Sequence, residues 1–216
     1  MAPLDQTPLT TLKRAADRGS FDLEVIYDIL DRSALCHVGF VSDAQPIVTP
    51  TIHWRVGNEV FWHGSRISRT LLESEQSRVC LTVTHMDGLV LARSAFHHSA
   101  NYRSVMVYGT PQLVEDTERK IAALKALVDG LTPGRWDTLR PMTKKELAAT
   151  SVLSLPLTEA SAKVRSGGPN DLESDMKFPV WAGVIPVTTV VGNPQPSADN
   201  LPDVIEPENL KAFQLG

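Results

Sequence analysis

Cysteine is scarce: the 216 residues hold two, Cys36 and Cys80. Two thiols cannot staple a disulfide scaffold, and neither sits in a zinc-type spacing. Both lie inside apolar runs, ALCHVGFV and RVCLTVT. They read as buried, reduced thiols in strands, which suits a cytoplasmic protein. A basic run is also missing, and the formal charge is −4. A general nucleic-acid binder needs concentrated positive charge, so that class is not expected. No apolar stretch approaches the roughly 20 residues that span a bilayer, and MAPLDQTPLTTLKR has no signal-peptide core, so no membrane role is expected. Absent too are the phosphate-binding GxxxxGKS/T loop, the GxSxG nucleophile elbow and the HExxH zinc helix. What is left is a globular chain, 42% hydrophobic and 21% charged, long enough for one full core.

The hydrophobic period then divides the chain. Residues 1–19 read as an arm. FDLEVIYDILDR, residues 21–32, places Leu23, Ile26, Tyr27 and Leu30 on one helical stripe, with Ser20 or Asp22 as N-cap. The period next shortens to two. Ala34–Val41, Pro46–Trp54 and Glu59–His63 read as an antiparallel meander, joined by turns at residues 42–45 and at Gly57–Asn58. Pro50 cannot donate a ladder bond, so it marks an edge or a bulge. A loop, GSRISRT, leads into a short helix, and Arg78–Thr84 is the next strand. A turn is expected at Met86-Asp87-Gly88. The stretch Asp87–Gly109 then reads as a strand, a polar break and a second long strand. Residues 116–131 give the clearest helix, with Ile121, Leu124, Val128 and Leu131 on a stripe. Thr143 and Glu146 form a capping-box pair. Val152–Thr158, interrupted by Pro156, and Val180–Val187 read as strands. Residues 166–177 read as a polar, mobile loop and the Pro-rich end from Gly192 as an extended tail.

Chemistry-bearing residues gather in two places. Ser68, Arg69 and Thr70, with Arg66 beside them, open a helix after a strand, where unpaired N–H groups, hydroxyls and guanidinium suit a phosphate. The same residues also suit a capped surface helix with solvated arginines. Five of six histidines (His37, His53, His63, His97, His98) fall on or beside strands. His97 and His98 are adjacent, so on a strand they face opposite sides and cannot share one ion. His63 directly precedes the anion loop and titrates near neutrality, which makes it the candidate proton carrier.

In this order — helix, meander running into GS..SR.LL, then RVCLTVT and a strand opening NYRSVMVYG — the chain resembles the pyridoxamine 5′-phosphate oxidase-like split β-barrel flavoproteins. DGLVLARSAFHHSANYRSV, SAKVRSGGP and PVWAGVIP resemble most the flavin-nucleotide-binding, nitroimidazole-resistance-like branch. The resemblance covers residues 20–190, leaving 191–216 as a tail. It implies a mainly β split barrel with flanking helices and an FMN at the interface of a homodimer. Carried over, Thr49, Pro50, Thr51 and Ile52 lie along the flavin ring, with Trp62 and His63 beside it. Ser68 and Arg69 match the phosphate-binding pair, and His53 and Thr70 stand where the oxidases keep lysines. Ser104 matches a polar flavin contact, and Asn101, Tyr102 and Arg103 orient substrate or steady the interface. Lys163 and Arg165 stand near the ligand mouth or are plain solvated cations. The oxidases' C-terminal Arg and His have no counterpart in VTTVVG, residues 187–192, so pyridoxamine phosphate oxidation is not implied. Three readings follow from the resemblance. They are an FMN-dependent oxidoreductase of a small molecule with His63 as catalytic proton donor, a flavin-nucleotide storage protein, and a haem-binding split barrel.

Overall fold

The computed structural model describes residues 2–211. Ten strands and four α-helices form in chain order. They are β1 (Gly19–Ser20), α1 (Leu23–Asp31), β2 (Leu35–Ser42), β3 (Gln45–Val56), β4 (Glu59–Ser65), α2 (Arg69–Glu75) and β5 (Val79–Leu91). There follow β6 (Ser99–Gly109), β7 (Gln112–Leu113), α3 (Thr117–Leu131), α4 (Lys144–Ala149), β8 (Thr150–Pro156), β9 (Ala160–Arg165) and β10 (Gly183–Pro186). The strands make one antiparallel sheet in the order β1-β9-β6-β5-β2-β3-β4-β8-β7, with β10 added to β5. The sheet curls around its own core. Val38, Val60, Leu81, Val105, Leu153 and Leu155, from strands along the sheet, share one buried cluster with Ile26, Ile29 and Leu30 of α1. Helix α1 plugs this interior because its apolar stripe matches the 3.6 period, and Asp22 caps it by accepting from the Glu24 N–H at 2.9 Å.

A second, smaller core lies on the outside of the barrel wall. There α3 packs Ala123, Leu124 and Leu127 over Trp54, Phe61 and Val152. The stripe expected from Ile121, Val128 and Leu131 is only half-buried. The small Ala123 lets the helix rotate its 123/124/127 face onto the two large rings.

Four further expectations change in the structure. The turn expected at Met86–Gly88 is instead a β-bulge inside one continuous strand, β5. Asp87 is the extra residue, and Arg103 on the neighbouring strand holds its carboxylate through two N–H groups at 2.8 and 3.0 Å. Gly88 is needed because a Cβ there would meet Val184 Cγ1 at 2.9 Å and the Ile185 carbonyl at 3.0 Å. The polar break is shorter than expected, since β5 runs to Leu91 and only residues 92–98 leave the sheet. The last strand shrinks to Gly183–Pro186, the part that finds a partner in Gly88–Leu91. Strand β9, SAKVR with its preceding Ala160, has too few large side chains to show alternation, yet it pairs Tyr102–Val107 and holds the N-terminal arm through β1.

Pro50 occupies an edge. Along Gln45–Ile52 β3 pairs β2, and it reaches β4 only at His53–Val56, so the second side of β3 has no strand at Pro50 among the described residues. The loop after β9 is tied down: Arg165 donates to the Gly167 and Gly168 carbonyls at 3.3 and 3.0 Å, and Arg93 pairs with Asp171 at 2.8 Å.

Candidate functional site: the open outer face

The register of β3, β2, β5 and β6 decides which side chains leave the barrel. Residues opposite one another in an antiparallel pair point to the same side. One row is Pro50, His37, Thr82 and Met106, and the next is Val48, Gly39, Cys80 and Tyr108. These rows face outward. Leu35, Val41, Val48, Ile52 and Met106 stand exposed there, Val48 at 65%. The face is flat, largely apolar and edged by hydroxyls: Thr82 Oγ1 donates to the Val105 carbonyl at 2.9 Å and Ser104 Oγ to the Lys163 carbonyl at 3.3 Å. Cys80 sits half-buried in the same rows, its thiol pushed up by burial.

The expected site residues divide between the two faces. Pro50, Ile52, Tyr102 and Ser104 belong to the outer face. Thr49 and Thr51 pair with the buried Val38 and Cys36 and turn to the inner side. His53 and Trp62 are core residues. Trp62 is 2% exposed, and His53 donates from Nε2 to the Leu30 carbonyl at 3.1 Å, helping to cap α1. Burial pushes the His53 imidazole down to about 4, so it is neutral at pH 7. His63 lies just beyond the last β3–β4 pair, on the same side as Phe61 and Trp54. It therefore stands where the open face meets the part covered by α3. Its ring centroid is 5.7 Å from that of Trp54, its Nδ1 is buried with no partner, and burial lowers its pKa.

The anion loop holds a more contested cation than its sequence suggests. Ser68 starts α2, and its hydroxyl makes no capping bond, so it is free to serve a ligand. Arg69 donates from Nε to Glu73 Oε1 at 2.6 Å and approaches Ser42 Oγ at 3.4 Å and Asp43 at 3.7 Å. Two carboxylates thus already balance that guanidinium. Arg66 and Thr70 flank it, and Arg66 makes no side-chain ion pair among the described residues. Asn101 and Arg103 are committed within the chain. Asn101 bonds Arg165 and donates to the Gly167 carbonyl at 3.0 Å, while Arg103 holds Asp87 and lies 3.7 Å from Asp28. Arg165, expected near the ligand mouth or as a solvated cation, is instead buried at 6% exposure, while Asp87 and the Arg93–Asp171 pair are hidden from motif reading by their separation in sequence. Lys163 shares the outward row of Ser104.

A family model described as pyridoxamine 5′-phosphate oxidase matches residues 22–164. The chain belongs to the pyridoxamine 5′-phosphate oxidase family. Solved structures resemble it. The flavocytochrome Anf3 from Azotobacter vinelandii is 46% identical, with 99% of this chain and 100% of that one covered at a TM-score of 0.95. The FAD and heme binding protein from Mycobacterium smegmatis is 36% identical, with 91% and 97% covered and a TM-score of 0.86. A protein from Bacteroides thetaiotaomicron named for 5-nitroimidazole antibiotic resistance, at 21% identity, 66% and 84% coverage and TM-score 0.56, shares the fold. No curated protein matches the chain. The family fold is the split β-barrel expected from the sequence. Among the described residues of this family member, no helix is long and apolar enough to cross a membrane.

Proposed function

We propose that this protein is a flavin- and haem-binding redox protein that works as a homodimer, with the flavin against the open outer face. The observation that carries this reading is likeness along nearly the whole chain to two proteins named for both groups, at 46% and 36% identity. The geometry supports it in three ways. A face of exposed Val, Ile, Leu and Met is too apolar to stand in water, and it suits both a flat ring system and a second copy of the chain. Ser68, with its free hydroxyl, and the unpaired Arg66 supply donors for a phosphate, with Arg69 joining once an anion displaces Glu73. Exposed imidazoles are present for an iron, since His37 and His98 lie at the surface.

Bound there, the flavin would supply two-electron chemistry and the haem one-electron transfer. The chain's own part is to seat the ring on the rows of Val48 and Pro50, to exclude water with the partner's matching face and to carry a proton. His63, its pKa lowered by burial, is the imidazole at the edge of that face and takes the proton-carrying role. The name of the mycobacterial relative favours FAD over the FMN that the oxidase-like phosphate seat suggests. The reacting partner is a small molecule or electron carrier reaching the ring edge. Two free thiols support a cytoplasmic location.

The absorption spectrum of the purified protein tests the reading. Flavin bands together with a Soret band are expected, and mass spectrometry of the released nucleotide separates FAD from FMN. Colourless protein that takes up neither added flavin nor added hemin would overturn it. Within a flavin-loaded protein, Arg66→Ala and Ser68→Ala should each weaken flavin retention at least about tenfold, the loss of one charge-assisted hydrogen bond of about 1.5–3 kcal/mol.

A further inference from the structure

The six histidines are not equivalent as metal ligands. His53 and His85 spend Nε2 on the Leu30 and Ile29 carbonyls at 3.1 and 2.9 Å, inside the molecule. His63 has its Nδ1 covered and no hydrogen bond to fix its tautomer. His37 stands on the open face, and none of its ring nitrogens is bonded among the described residues. His98 is different. It is exposed, and its Nδ1 lies 2.9 Å from the Ser94 carbonyl. A carbonyl only accepts, so Nδ1 carries the proton and the Nε2 lone pair points away from the backbone. Metal-bound imidazoles are held in this way: the second ring nitrogen donates to a carbonyl, which fixes tautomer and orientation.

Three exposed apolar side chains lie in the segments that meet at the end of β5 from which the His98 loop departs. The loop of residues 92–98 leaves the sheet where β5 ends. Arg93 pins the second loop beside it through Asp171, with its backbone N–H at 2.9 Å and its Nη1 at 2.8 Å from the carboxylate. Leu172 follows Asp171 directly in the chain. The pairing of Gly183 with Leu91 brings Trp181 to the same end of β5. Phe96, Leu172 and Trp181 are exposed by 86%, 56% and 66%, and Phe96 sets its ring edge-on to His97. Among the described residues no group of three or more His, Cys, Asp or Glu side chains could cage a metal. An iron that arrives with four porphyrin nitrogens needs one protein nitrogen and apolar cover for its macrocycle, and this end of β5 offers both.

We infer that His98 Nε2 is an axial ligand of the haem, with Phe96, Leu172 and Trp181 against the porphyrin. This rests on the flavin- and haem-binding reading above. The test compares the holoprotein with His98→Ala and His37→Ala, His37 being the rival exposed imidazole. In His98→Ala the Soret band should shift and haem content fall at least about tenfold, while flavin content and the circular dichroism spectrum stay as in the parent. Imidazole added to that variant should restore the parent band position, which a merely structural histidine would not allow. His37→Ala should keep the parent Soret band. An unchanged Soret band in His98→Ala, or its loss in His37→Ala, overturns the assignment and leaves haem binding standing. A parent protein that contains no haem and takes up no added hemin overturns haem binding itself, and the ligand assignment with it.

Discussion

The inner and outer faces of β2, β3, β5 and β6 are made from the same kinds of residue and end in opposite surroundings. On the inside Val38, Leu81, Val83, Val105 and Val107 are at most 1% exposed. On the outside Val41, Val48, Leu35 and Met106 are 61%, 65%, 49% and 45% exposed. An antiparallel sheet with one wet face normally alternates apolar with polar, and strands apolar on both faces are normally covered on both. The inner face is closed by α1 and by the return of β8 and β9, whereas on the outer face α3 covers Trp54 and Phe61 and leaves the rows of Val48 and Pro50 open among the described residues. The difference teaches that a β-rich run marks a pleated surface wanting cover and does not say whose cover it is.

The largest effect should come from breaking the closed face. Leu81→Ala removes a fully buried side chain from the interior cluster, where neighbours on several strands cannot collapse into the space. Chemical denaturation should show a loss of about 2–5 kcal/mol. A loss under about 1 kcal/mol would mean the barrel interior is loosely packed, and the contrast between faces would lose its basis.

Acid should strain the same interior next. The His53 pKa in the folded chain is lowered to about 4 from its usual 6.5. The unfolded chain therefore binds the proton first as pH falls. The stability from keeping this imidazole neutral is whole above about pH 6.5 and is lost progressively towards pH 4. The size is up to about 3 kcal/mol, at about 1.4 kcal/mol per pH unit. Denaturant melts at intervals between pH 8 and pH 4 measure it, and His53→Gln, which keeps a donor for the Leu30 carbonyl, should flatten that limb. A variant with the parent's full pH slope would place the acid sensitivity elsewhere.

Much of this was legible in the residues, for identifiable reasons. The meander, α1 and the capping box were visible because period, turn residues and caps agree locally, and the Thr143–Glu146 box forms as written. The bulge at Asp87 was not, because Asp-Gly signals a turn equally well until Arg103, sixteen residues on, takes the carboxylate. Strand β9 was hidden because Ala160, Ser161 and Ala162 lack bulk, though they fit a crowded interior. In the candidate site, Ser68 and Arg69 were legible by spacing, but the Glu73 and Asp43 carboxylates competing for Arg69 were not. The face each strand residue occupies depends on register, and register is set by pairing partners that no local window contains. Hence His53 and Trp62, both expected among the flavin-binding residues, lie in the core.

The smallest effect on folding, and the sharpest on the comparison, should come from Val48→Lys on the open face. The side chain is 65% exposed and its neighbours across the sheet are Gly39 and, beyond it, Cys80, so a lysine stem can lie along the surface with its ammonium in water. The stability of the dilute monomer should therefore change by no more than about 0.5 kcal/mol. Association is another matter. In a two-fold dimer built on this face, the introduced ammonium of each protomer would be buried against the other copy, and an unpaired buried charge is expensive. Sedimentation over a concentration series should show dimer dissociation increased at least about tenfold, equivalent to about 1.4 kcal/mol. If neither association nor folding responds, the apolar rows of the outer face serve no second copy. If folding itself is badly lost at dilutions where the parent is already monomeric, some segment of the same chain covers them, and the two faces differ less than their exposures suggest.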